Sequence, residues 1–255
     1  MDLIRARVAL RERSLLDVTD LAVRFCAANA GAYARLSLVV LVPALAASWL
    51  AARAGGWFAG WAVAIATAAF ADAPFLALAS RLVFADEARA RDALRAAAGA
   101  LPRLAAVRIV QAVALAMSAL LLFLPWLWVG GVLLFLPEVV VLEQASVGAA
   151  WARAQRVAQA HLGVAVAAMM LLALMAAGSA LLADTAGREL LENLLEVKPP
   201  HSVFDGGVSG LALLGFWLTL PLRATIRFFV YLDVRTRTEG WDIQTRFAAL
   251  AARGA

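Results

Sequence analysis

The feature that most constrains this chain is a series of long apolar runs with the charges gathered between them. The clearest is Leu162 to Ala183, twenty-two residues without a charge. A hydrocarbon layer about 30 Å thick is crossed by about 20 helical residues, and within it every backbone N–H and C=O must be satisfied by the chain itself. Long runs without strict alternation therefore specify membrane-spanning helices. The composition agrees: 64% of the 255 residues are hydrophobic and 16% charged, where soluble domains carry about a quarter.

Six spans are predicted within one integral membrane domain covering 1–255, at 36–52, 57–84, 105–124, 129–143, 162–183 and 208–231. The fold class expected is all-α, a polytopic bundle of six transmembrane helices with amphipathic helices on the cytoplasmic surface. Pro43 is expected to kink the first span, and Asp72-Ala73-Pro74 interrupts the second. No cleavable signal peptide is expected, because the first apolar run begins only at Leu36, behind six arginines.

The stretch from Ile109 to Leu142 holds one charge, Glu138, and is long for one span but short for two. Two spans place Arg153, Arg156 and the six arginines from Arg223 onward on the side of the basic N-terminus, and one span places them opposite. The positive-inside rule selects two, with a turn over Pro125 to Gly131. Of the 23 Lys and Arg, only Arg53, Arg188 and Lys198 then lie outside, with both termini cytoplasmic. Trp49, Trp57, Trp61, Trp126 and Trp128 fall at the outer interface, as an aromatic belt should.

Three amphipathic helices are expected, one before the first span and two between spans. Ser14 caps one with Val18, Leu21, Ala22 and Phe25 on a face; 86–104 forms a second with Leu94, Ala98, Leu101 and Ala105 aligned; 144–160 forms a third along Val147, Ala150, Trp151, Ala154 and Val157. Residues 184–207 read as a polar connection in which Pro199-Pro200 resists a helix. The order span, charged helix, span occurs twice and reads as a weak parallel repeat.

Several function classes fall away. The net charge of +5 is spread in short blocks that suit topology signals better than a nucleic-acid face. Cys26 stands alone, His161 and His201 lack partners, and neither a phosphate loop nor an HExxH element occurs. No enzyme activity, cofactor or metal is expected.

Charges within apolar runs remain as candidates, because a charge at the bilayer centre costs at least about 2.5–3.5 kcal/mol on insertion scales. Asp72 and Arg223 each stand sixteen residues beyond an outer glycine, Gly56 and Gly207, hence at similar depth and able to pair. Glu138 follows Pro137 and is expected either as a proton or cation site, or as an acid satisfied by Gln111, Ser118 or water. Asp72, Glu138 and Arg223 form the candidate intramembrane polar cluster.

The last apolar run ends in Tyr231-x-Asp233-x-Arg235-x-Arg237-x-Glu239-Gly240-x-Asp242-Ile243, a candidate cytoplasmic motif. It resembles the closing motif of bacterial six-span membrane proteins related to the membrane domain attached to some glycerophosphodiester phosphodiesterases. Leu16-Asp17-Val18 to Tyr33 is similar to the entry helix of that group, and Glu143 followed by Ala149-Ala150-Trp151-Ala152-Arg153 is similar to its segment after the fourth span, with Ala154 where the group often has Ser. No phosphodiesterase domain is present, so the resemblance carries no hydrolytic activity. The function expected is that of a non-enzymatic inner-membrane protein, a scaffold or accessory to a membrane or envelope partner. The alternative is a small-solute or lipid transporter using Asp72, Glu138 and Arg223. The expected partners are the bilayer, anionic lipids at the surface arginines and a membrane protein, with no nucleic acid.

Overall fold

The computed structural model describes residues 13–84, 88–121, 123–198, 202–205 and 209–239. All regular structure among them is helical. The expectations for the basic arm before Arg13, for Asp86 and Glu87, for Pro199, Pro200 and His201, and for Gly240 and Asp242 fall outside the described residues.

Helix α1 (Leu15–Ala28) begins where the sequence predicts. Ser14 Oγ accepts from the Asp17 backbone N–H while the Asp17 carboxylate accepts from the Ser14 N–H, a reciprocal capping box. Val18, Ala22 and Phe25 form its buried face.

Helix α2 (Ala30–Phe84) is interrupted at Gly56, whose φ of 79° suits glycine alone among common residues. A straight helix would hold residues 52 and 60 about 12 Å apart. Instead, a Cβ on Gly60 would lie 2.6 Å from Ala52 Cβ and 3.3 Å from the Ser48 carbonyl oxygen, so the chain folds back on itself. The two arms, 30–55 and 57–84, pack side by side. Asp72-Ala73-Pro74 does not end the second arm, since Pro74 lies inside the helix.

Helix α3 (Ala90–Leu121) merges an expected surface helix and an expected span into one continuous rod. The Ala-rich sequence carries no stop signal between them, and Pro102 is absorbed within the helix. Its buried row is Ala93, Ala97, Ala100 and Leu104, one position round from the expected Leu94, Ala98, Leu101 and Ala105; Leu101 is exposed. Small side chains form the inner face because they let the neighbouring helix come close.

The chain reverses between α3 and the helix that follows it, earlier than the predicted turn. Gln111 lies against Leu133 and Leu115 against Gly130, which centres the reversal there. Pro125 to Gly131 is helical, within α4 (Phe123–Val132). Gly130 and Gly131 serve contact: a Cβ on Gly131 would meet Val166 Cγ2 at 2.5 Å, and one on Gly130 would strike Met169 Sδ. The fourth apolar run is instead broken at 133–135, after which α5 (Leu136–Glu143) starts with Pro in its first turn.

Helix α6 (Val147–Ala160) buries Ala150, Ala154 and Val157, as its periodicity predicts. Helix α7 (Leu162–Asn193) runs ten residues past the expected end of its span. Helices α8 (Gly210–Leu218) and α9 (Leu220–Glu239) divide the last apolar segment at Thr219, just before Pro221. Gly215 of α8 packs directly on the Ser179 carbonyl and Ala183 of α7, so any side chain there would separate the two helices.

Among the described residues, five helical stretches are long and apolar enough to cross a membrane: Ala30–Val83, Ala90–Leu121, Leu124–Glu143, Leu162–Asn193 and Gly210–Thr238. Many of their large apolar side chains face outward, among them Leu38, Phe58, Ile65, Leu120, Leu124 and Leu174. Surface of that kind marks a lipid-facing exterior. Helix α9 sits at the centre of the bundle, against α1, α2, α6 and α7.

Candidate functional site

The polar interior is organised by one face of α9. Arg223, Arg227, Tyr231 and Arg235 recur every four residues, so they stack along a single side of the helix. That row faces the second arm of α2, then α5, then α6.

Arg227 is the centre. Its Nη2 lies 2.8 Å from Asp72 Oδ2, and its Nε donates to Glu138 Oε1. Asp72 Oδ2 also receives Arg108 Nη2 at 2.8 Å. Arg108 is held in turn by the Ala69 carbonyl at 2.9 Å, one turn before Pro74, and by Gln111 Oε1 at 2.9 Å. Gln111 Nε2 donates to the Leu133 carbonyl at 3.2 Å, which the break between α4 and α5 leaves outside the helical ladder. Two arginines thus balance two carboxylates. Glu138 has no exposed surface, and Asp72 is 4% exposed. In so apolar a setting an unbalanced charge would be strongly disfavoured, whereas a matched set with fixed hydrogen bonds is tolerated.

The sequence pairing of Asp72 with Arg223 is corrected by this geometry. Arg223 Nη2 donates to the Phe216 carbonyl at 2.8 Å, and its guanidinium lies 4.6 Å from the Phe216 ring centroid. The Phe216 carbonyl, beside the α8–α9 junction, also accepts the Thr219 hydroxyl at 3.3 Å, so Arg223 ties the start of α9 back onto α8. Glu138 Oε1 is bound by Arg227, and neither of the other expected partners reaches Glu138: Ser118 donates to the Leu115 carbonyl and Gln111 joins the cluster through Arg108. Arg108 and Arg227 are the residues that sequence reasoning passes over. The signal for Arg227 is its place in the four-residue row; Arg108 has none beyond standing at the head of an apolar run.

Below the cluster lies a second set. Glu143 accepts the Tyr231 hydroxyl at 2.5 Å and forms ion pairs with Arg235 Nη1 at 3.0 Å and Arg153 Nε at 2.6 Å. Arg103 Nη1 donates at 2.6 Å to the carbonyl of Gln144, the left-handed residue that closes α5. Four elements meet there.

A second row of α9 faces α1 and the first turn of α2. Thr225 Oγ1 lies 2.8 Å from the Tyr33 hydroxyl, and Phe229 meets Phe25 edge to face at 5.1 Å. Asp233 accepts the Arg13 backbone N–H at 3.0 Å and pairs with Arg237 at 2.8 Å, while Arg237 donates to the Arg13 carbonyl. The described members of the tail motif, Tyr231, Asp233, Arg235 and Arg237, are therefore engaged within the chain. Glu239 closes α9, and its side chain lies outside the described residues.

At the opposite end Asp184 is fully buried and accepts the Ser202 hydroxyl at 2.8 Å, the Val203 N–H at 3.1 Å and the Ser209 hydroxyl. Ser209 also caps α8 by accepting from the Ala212 N–H. The connection expected to be merely polar is thus pinned by one carboxylate.

Among the described residues no group of three or more His, Cys, Asp or Glu is placed to hold a metal ion. No protein-family model, curated protein or solved structure matches the chain.

Proposed function

We propose that the protein is a non-enzymatic, six-span protein of a bacterial inner membrane with both termini in the cytoplasm, acting as a scaffold or accessory to a membrane or envelope partner. The observation that carries this is the closure of the intramembrane cluster: Asp72 and Glu138 are buried, and each is bound by an arginine of the same chain. Charges matched in this way fix how helices meet. The reversal at Gly56 supports six spans, because it divides the 54-residue apolar stretch into two arms, each long enough to cross. Arg13, Arg103, Arg153, Arg235 and Arg237 gather around the ends of α5 and α9, where cytoplasmic placement follows the positive-inside rule. The resemblance of the tail motif to the phosphodiesterase-linked membrane domains is in keeping with such a role.

The test is reconstitution. Liposomes holding the wild-type chain and Glu138→Gln should show the same low proton and solute leak, while cross-linking in intact membranes should trap the chain with a recurrent partner. A wild-type flux abolished by Glu138→Gln would overturn the scaffold role. A reporter fused after Arg253 should read as cytoplasmic, and a cysteine introduced within 185–198 should label from outside.

One observation favours the transport alternative. Asp72 Oδ1 and Glu138 Oε2 are buried without a hydrogen-bond partner among the described residues. A transported proton or a water would satisfy them. Proton flux in the same liposomes decides between the readings.

A further inference from the structure

The first arm of α2 carries, along one face, Gly31, Arg35, Leu38, Val42 and Leu45, spaced by four, three, four and three residues. At its start this face borders a cavity of about 650 Å³ lined by Gly31, Arg35, Leu82, Arg89 and Ala90 among others. Two guanidinium groups thus look into one space. Among the described residues no acid lines it, and neither the Arg35 nor the Arg89 side chain has a hydrogen-bond or ion-pair partner. The first turn of α3 opens at the same place, adding the positive end of a 32-residue helix.

Further along the same face runs an apolar groove of about 340 Å³ between α2 and α8, lined by Leu38, Leu41, Val42, Leu45, Trp217 and Leu218. From residue 31 to residue 45 the helix advances about 21 Å, more than one leaflet of a core about 30 Å thick. The order is therefore cationic cavity at the helix end, then apolar groove running into the hydrocarbon.

We propose that this face binds one anionic glycerophospholipid, its phosphate between Arg35 and Arg89 and one acyl chain along Leu38, Val42 and Leu45. Charge complementarity and the length of the groove choose this occupant. A soluble phosphate leaves the groove empty, and a zwitterionic lipid brings its own cation to two unpaired arginines. The site rests on the proposed membrane setting alone, and on no particular topology. Lipid retention in detergent does not depend on which side the termini lie, so a failed topology reporter and a failed lipid test are distinguishable.

The experiment uses the full chain, purified in mild detergent, exposed to equal phosphatidylglycerol and phosphatidylcholine, washed and assayed for retained lipid by native mass spectrometry. Phosphatidylglycerol should be retained at least about fivefold over phosphatidylcholine. Arg35→Gln with Arg89→Gln should bring the ratio below about twofold, whereas Arg156→Gln, exposed on another helix, should leave it unchanged. Val42→Trp, which fills the groove, should lower retention of the long-chain lipid severalfold with both arginines in place. Inorganic phosphate at millimolar concentration should not displace the lipid. Equal retention of the two lipids by the wild type, or undiminished preference in the double variant, overturns the proposal. Complete displacement by phosphate would make this a free-phosphate site and also overturn it. If the double variant does not fold, Val42→Trp decides: unchanged retention sinks the lipid site.

Discussion

Arg227 and Arg235 stand two turns apart on one face of α9, and each binds a carboxylate of α5. Their surroundings make them different devices. The arginines themselves are alike, Arg227 12% and Arg235 14% exposed, but Glu138 is not exposed at all, whereas Glu143 is 18% exposed and its second partner Arg153 31%. The upper pair has no water to fall back on, so losing one member strands the other in an apolar medium. The lower set borders solvent, where water replaces a lost partner and salt screens the attraction. One helical row thus provides a rigid clamp within the bundle and a softer latch at its rim.

That contrast is breakable by mutation. Arg227→Met should have the largest effect, about 3–5 kcal/mol of stability in detergent, because it leaves both Asp72 and Glu138 without their shared cation. The loss should persist at 0.5 M salt, and an effect that disappears with salt would show that the cluster is hydrated. Asp184→Ala comes next, at about 2–3 kcal/mol by thermal unfolding, since two hydroxyls and a backbone amide lose one buried acceptor.

Much of the fold is legible in the residues themselves. Helix α1 can be placed because Ser14-x-x-Asp17 is a start signal with a mechanism, and α6 because its small residues repeat at helical spacing. That Asp72 can meet an arginine of the last apolar segment is legible too, but which arginine is not. Arg223 and Arg227 differ by one turn, about 6 Å, and only the packing of α9 on α2 selects the second. The reversal between α3 and α4 falls elsewhere than predicted because Pro125 and Gly130-Gly131 carry turn chemistry, whereas here the glycines admit Met169 and Val166 and the helix continues through them. Local signals name residues that permit a turn; tertiary contact decides whether they make one.

The rim should yield smaller effects. Tyr231→Phe removes the hydroxyl that reaches Glu143 and should cost about 1–2 kcal/mol, read by denaturation in detergent. Arg153→Ala should cost about 0.5–1 kcal/mol at low salt and almost nothing at 0.5 M. If both rim variants proved as damaging and as salt-resistant as Arg227→Met, the distinction between clamp and latch would fail.

The most direct test of the clamp is a double-mutant cycle on Glu138→Gln and Arg227→Met, followed by equilibrium unfolding in detergent. Because each residue is the other's partner in an apolar interior, the two losses should be strongly non-additive, with a coupling of about 2 kcal/mol or more. Additive losses, within about 0.5 kcal/mol, would contradict the claim that Arg227 holds the bundle through its buried acids.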